Sequence, residues 1–232
     1  MLQKSFPVIR TIELALLQVF FKAIQGNLYG ISQMKNIFKH TLENHMKELL
    51  WTIQTEEAFR EFERTGVLRA NESFLFCEDY YRFAYDWISR QMVQRIGTPP
   101  EHVRYPVWAW YQWEGRRKRR DLRCSGYAKR GTPLVQITFE ADPSTFLLSD
   151  FDSWHVVLAK QFVADNEAEW DSYYDNNPHP TQADVEPSWE RIFDITRYSP
   201  GWDCEPERKS IQATLWQIKM SQVKKVEHFL AK

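Results

Sequence analysis

Two periodicities take turns along the chain, one of two residues and one of three to four. Residues 49–53 form a short apolar run that predicts a strand. Thr55 follows in the position of a helix N-cap, with Glu56 and Glu57 favourable in the first turn. Ala58, Phe59 and Phe62 give that helix an apolar face, Gly66 supplies its stop, and Val67 to Arg69 continue as a short extended piece. A second helix is predicted over about 78–96 from the spacing of Tyr81, Ala84, Ile88 and Met92, a stripe widened by Tyr80, Phe83 and Trp87. Gly97 marks its end, and Thr98-Pro99-Pro100 forces an extended link onward.

The period then changes to two. In residues 105–113 alternation puts Trp108 and Trp110 on one face and Val107, Ala109 and Tyr111 on the other. Both faces are apolar, which predicts a strand covered on both sides, inside a sheet. Leu134, Gln136, Thr138 and Glu140 alternate with Val135, Ile137 and Phe139 in a further strand. A turn at Asp142-Pro143-Ser144 and a brief strand over 146–148 come next. Asp150 or Asp152 caps a helix expected to reach about Ala164, with Trp154, Val157, Leu158 and Phe162 buried. A short helix over 167–174, a long polar loop over 175–187 and a helical turn with Trp189, Ile192 and Phe193 follow. Residues 211–220 read as one strand, with Thr214, Trp216, Ile218 and Met220 on one face, and 223–229 as its successor. Helices sit among strands without regular alternation. The expectation is an α+β fold: a single compact domain with a mixed or antiparallel sheet and several packed helices.

Composition adjusts the boundaries of that domain. A chain of 232 residues, 43% hydrophobic and 15% aromatic, fits one sizeable core, with or without an arm. Ile9 to Ile24 is apolar on nearly all sides. It fits a buried helix, a secretion signal (interrupted by Glu13 and Gln18) or an upstream helical extension. The extension is preferred, because Met46-Lys47-Glu48 leads straight into the first strand; residues 1–45 then lie outside a single domain of 46–232. Cys77, Cys124 and Cys204 are odd in number and widely spaced, which suits a reduced, cytoplasmic setting. No apolar run reaches the roughly 18 residues of a membrane span, so a membrane partner is not expected.

The net charge of −1 conceals segregation. Residues 115–130 carry eight bases and one acid, whereas 140–194 carry thirteen acids against Lys160 and Arg191. A general nucleic-acid coat is not expected without a basic excess, whereas a local phosphate site stays open. Arg116, Arg117, Lys118, Arg119 and Arg120 adjoin Trp108, Trp110 and Trp113. The plain reading is an aromatic core strand followed by a solvated hairpin loop. The functional reading is a stacking wall beside a phosphate-binding loop, which would take a nucleotide, a nucleic-acid end or another phosphorylated ligand. Asp150, Asp152 and His155 form the best acid–base or metal-binding cluster, and Glu227 is a lone late acid. Those residues would act in an enzyme on a nucleotide or phosphate substrate, by ADP-ribosyl transfer or metal-assisted hydrolysis for example; as plain structure they are caps and surface polar groups. A third reading is an interaction module whose acidic surface, 167–190, meets a basic protein. Phosphate-loop, dinucleotide and nucleophile-elbow motifs are missing, and the cofactor, if any, is left open.

Leu50-Trp51-Thr52-Ile53-Gln54, the block Trp108 to Trp113, residues 148–155 and residues 211–216 together resemble a bacterial domain-of-unknown-function family, number three-eight-four-one. The resemblance covers about residue 46 to the C-terminus, and its tryptophan block is the most specific part. It implies a shared fold and assigns neither activity nor catalytic residues. Deleting residues 1–45 should leave the melting temperature nearly unchanged; a large loss would show that the arm packs into the core.

Overall fold

The computed structural model describes residues 47–72, 79–124 and 126–232. Glu48–Lys232 form one compact unit. The expectation for residues 1–45 lies outside the described residues, as do Cys77 and the predicted helix start at Glu78. Among the described residues, six strands make one sheet in the order β5-β6-β3-β1-β4-β8. These are β1 (Glu48–Thr55), β3 (Val107–Gln112), β4 (Pro133–Ala141), β5 (Phe146–Asp150), β6 (Ile211–Leu215) and β8 (Val223–Leu230). Every neighbouring pair is antiparallel. The α+β expectation therefore holds, with the antiparallel form of the sheet.

One sheet face is closed by α1 (Glu56–Thr65) and by a two-stranded sheet of β2 (Val67–Leu68) and β7 (Ile218–Lys219). Phe59 and Phe62 of α1 pack there against Leu50, Val135, Ile137 and Phe139. The local rules fix α1 at both ends. Thr55 accepts a hydrogen bond from the Ala58 amide, and Gly66, at φ +74°, returns its own N–H to the Phe62 carbonyl. An L side chain in that left-handed conformation would be strained, which is why glycine ends the helix.

The opposite face is covered in two halves by different means. Over β5, β6 and β3 lie α2 (Arg82–Ile96), α3 (Phe151–Leu158) and the 3-10 segment Glu186–Phe193. Trp87, Ile88, Trp154, Val157, Trp189 and Ile192 form that core and receive Trp108 and Leu147 from the sheet. Trp87 stands edge-on to Trp189 and stacks on Phe193, with centroids 5.4 and 5.6 Å apart. Over β1, β4 and β8 lies the basic segment that follows β3.

Several local expectations need correction. The helix capped by Asp150 stops at Leu158 rather than near Ala164, and Lys160 turns the chain at φ +55°. Residues 175–187 are not a plain loop. They contain the end of α4 (Glu167–Asn176), all of α5 (Gln182–Val185) and the start of the 3-10 segment. The Asp184 carboxylate accepts from both the amide and the hydroxyl of Thr181, which initiates α5. Residues 211–220 are not one strand: β6 ends at Leu215 and β7 belongs to the small sheet. Trp216 leaves the ladder to pack with Met92 and Val103 while donating its indole N–H to the Gly97 carbonyl. Phe62 is 1% exposed at the centre of the first core; Phe62→Ala should cost about 3–5 kcal/mol in urea unfolding, and a loss below about 1 kcal/mol would contradict the packing described.

Candidate functional site

β3 and β4 both pair antiparallel with β1, which lies between them. They therefore run in the same direction, and two such strands cannot be joined by a tight hairpin. Residues 113–132 instead cross the sheet, so the basic run is not the loop of a hairpin between the tryptophan strand and β4. The crossing begins with a two-residue turn at Glu114 and Gly115, both at positive φ (47° and 69°). Trp113 and Arg116 exchange both backbone hydrogen bonds across it, at 2.9 and 3.1 Å. Gly115 also sits against the chain near Glu207: a Cβ there would lie 2.0 Å from the Glu207 carbonyl oxygen.

Once on the sheet, the loop is held by its own cations. Arg117 bonds Glu48 at 2.7 Å and the Leu49 carbonyl at 2.9 Å, with its guanidinium 3.6 Å from the Tyr111 ring centroid. Lys118 pairs with Glu114, and Arg123 pairs with Asp121, holding that carboxyl well below its usual range. Arg119 reaches Glu227 on β8 at 3.4 Å. Arg120 has no carboxylate partner among the described residues; its guanidinium lies 4.2 Å from the Trp113 ring and 4.6 Å from Tyr127. Tyr127 in turn packs edge-on against Phe229 of β8. Arg116 is exposed and has no ion pair among the described residues.

The three tryptophans of β3 and its end separate into two roles. Trp108 belongs to the helix-covered core, 4.8 Å from Trp154 and 6.1 Å from Tyr85. Trp110 and Trp113 meet edge to face at 4.8 Å on the side of the basic loop, where Arg120 joins them. The sequence groups all three; the structure brings Trp110 and Trp113 to Arg120 and packs Trp108, half-buried, against the helix-side core.

Beneath the loop lies a polar pair that sequence reasoning missed. Gln136 of β4 stands directly across from Glu227 of β8. Gln136 is 1% exposed, yet among the described residues neither its Nε2 nor its Oε1 has a hydrogen-bond partner. Glu227 takes Arg119 and Lys225 on Oε1, while its buried Oε2 is also unpartnered. A buried amide left unpaired costs about 1–3 kcal/mol. Here one donor and two acceptors share that condition side by side. The alternation of polar residues along β4 was the available signal, but it could not show that β4 is covered on both faces.

The acidic cluster lies elsewhere. Asp150 caps α3 through the Ser153 amide at 2.8 Å. Its second oxygen pairs with Lys209 at 2.9 Å, both side chains being less than a tenth exposed. Lys209 also donates to the Arg197 carbonyl at 2.6 Å. His155 has Nδ1 2.9 Å from the Phe151 carbonyl. Asp150 and Asp152 both line a cleft of ≈ 220 Å³ that also includes Trp170, Arg197, Trp202 and Cys204. Partial desolvation at the cleft, and then the neighbouring Asp150 charge, push the Asp152 carboxyl up although the residue as a whole is exposed; burial likewise raises the Cys204 thiol. No His, Cys, Asp and Glu group among the described residues is arranged to hold a metal ion. Nor is any described helix long and apolar enough to cross a membrane.

The model of a domain of unknown function, DUF3841, matches residues 49–224. The chain belongs to that family. The matched span runs from β1 into β8 and includes the crossing loop, Gln136 and the acidic cleft. No curated protein and no solved structure matches this DUF3841 chain.

Two stability outcomes follow from the site geometry. Lys209→Met leaves the Asp150 charge buried without its partner and should cost about 3–5 kcal/mol, measured by denaturant unfolding; a neutral result would contradict the ion pair. Gly115→Ala should cost more than about 1 kcal/mol, because both the backbone conformation and the approach to Glu207 reject a Cβ; an unchanged melting temperature would contradict that close approach.

Proposed function

We propose that this domain binds a planar anionic ligand of the nucleotide type beneath the basic crossing loop. The observation that carries the reading is the buried, unpartnered polar set of Gln136 and Glu227. An amide N–H, an amide oxygen and a carboxylate oxygen on one sheet face match the edge of a heterocycle that has its own donors and acceptors. Glutamine pairs with adenine in that way in nucleic-acid recognition. The neighbouring aromatic groups supply a surface for a flat ring.

The charge balance narrows the sequence-based set of anion contacts. Arg117 and Arg119 already answer Glu48 and Glu227. Arg116 and Arg120 have no carboxylate partner among the described residues, and stacking on Trp113 and Tyr127 leaves the edges of the Arg120 guanidinium available to a phosphate. Two such cations suit one small phosphorylated molecule or a terminal nucleotide better than a long duplex, so the salt dependence of binding should be shallow. Glu227, bridged by Arg119 and Lys225, reads as an acceptor for the ligand rather than as a general acid.

Calorimetric titration with adenosine and guanosine monophosphates, at two salt concentrations, tests the proposal. Gln136→Met keeps the volume and removes the unpaired amide. It should weaken nucleotide binding by about tenfold or more, while the ligand-free protein becomes more stable by about 1–2 kcal/mol. Arg120→Leu should weaken the monophosphate more than the matching nucleoside. Unchanged affinity in Gln136→Met, or no heat from either nucleotide, would overturn the reading.

A further inference from the structure

A second site is independent of the first: the cleft between the start of α3 and residues 197–209. We propose that it binds an alkylated ammonium group, such as a quaternary amine. The case rests on which charges in the cleft are already answered. Asp150 has Lys209 at 2.9 Å. Arg197 is held by Asp165 at 3.0 Å and Asp203 at 3.3 Å. Asp203 also accepts the Ser199 amide on its other oxygen. Asp152 alone among these lining charges has neither an ion pair nor a hydrogen bond among the described residues. The cleft therefore has one carboxylate in excess, and its complement is a cation.

The walls decide what kind of cation. Trp170 and Trp202 both line the cleft, their ring centroids 6.1 Å apart and their planes tilted at 52°, so they do not close on each other as a stack. Trp202 is 38% exposed, unusual for so large an apolar side chain, although its indole N–H is anchored to the Ala164 carbonyl at 3.2 Å. Phe162 and Val156 supply further apolar lining. A bare metal ion needs several oxygen ligands, and the described residues offer no such group. An alkylated ammonium needs no hydrogen-bond acceptors. It is attracted by indole faces and by a nearby carboxylate, and its methyl groups gain from apolar contact. At ≈ 220 Å³ the cleft is smaller than the roughly 300–1,000 Å³ typical of drug-sized ligands, which suits a headgroup. Partial desolvation and the Asp150 charge raise the Asp152 carboxyl, and a bound cation would reverse that destabilisation of its charged form.

The experiment follows tryptophan fluorescence of the full chain titrated with choline, with its neutral isostere 3,3-dimethylbutanol, and with a peptide containing trimethyllysine. Choline should quench saturably, and the neutral isostere should bind at least about fivefold more weakly. If the peptide binds tighter than choline, the source of the group is a protein side chain; if weaker, a free small molecule. Asp152→Asn should reduce choline affinity by about fivefold or more without changing the melting temperature, and Trp202→Leu should abolish saturable binding. Equal binding of choline and the isostere, retention of full affinity in Asp152→Asn, or no saturable binding of either cation would overturn the proposal.

Discussion

The fold turns on one topological constraint. β1 enters the sheet between β3 and β4, so the chain leaving β3 can reach β4 only by travelling the length of the sheet. It must do so over a face that would otherwise expose Trp51, Gln136 and Thr138. A crossing in such a place is usually a helix, whose backbone bonds are satisfied internally. Here the segment is irregular and strongly basic. Its stability comes from guanidinium groups lying on aromatic rings and meeting carboxylates at the sheet, Arg117 near Glu48, Arg119 at Glu227 and Arg120 between Trp113 and Tyr127. Like charges that repel along the sequence are separated by being fastened to different strands.

That arrangement explains why the two halves of one sheet face differ in character. The helices over β5, β6 and β3 bring a dry aromatic core, in which indoles pack against indoles. The loop over β1, β4 and β8 brings planar cations whose hydrogen-bonding edges need partners. Polar side chains on the sheet beneath it are consequently tolerated, and two of them, Gln136 and Glu227, keep groups with no partner among the described residues. The acidic half of the chain solves a different problem. Asp150 and Lys209 close the seam between α3 and the segment before β6, and the same seam opens into a cleft with a surplus carboxylate.

Much of the local structure was legible from short sequence spans. Thr55 and Gly66 bound α1 as their types predict, Asp150 caps α3, and the two apolar faces of residues 107–111 place β3 inside a sheet. Relations across long separations were not legible. Whether residues 113–132 form a hairpin or a crossing depends on β1, which lies about sixty residues earlier and leaves no mark on the loop's own composition. The Asp150–Lys209 pair is likewise hidden, and with it the reason that Asp150 and Asp152 differ. The tryptophan block was read as a unit, although a strand's alternation and the turn at Glu114 send Trp108 and Trp113 into different surroundings. Residues 175–187 looked like loop because prolines and asparagines dominate them, yet Thr181 and Asp184 carry the capping spacing that starts α5.

The most direct measurement is amide hydrogen exchange across residues 113–131, with and without a nucleoside monophosphate. If the crossing loop is clamped to the sheet, the amides of Trp113, Arg116 and Lys118 are protected in the free protein, and protection across the loop rises when ligand binds. Exchange at the rate of an unstructured chain in both conditions would contradict the clamp, and with it the proposal of a ligand bound beneath the loop.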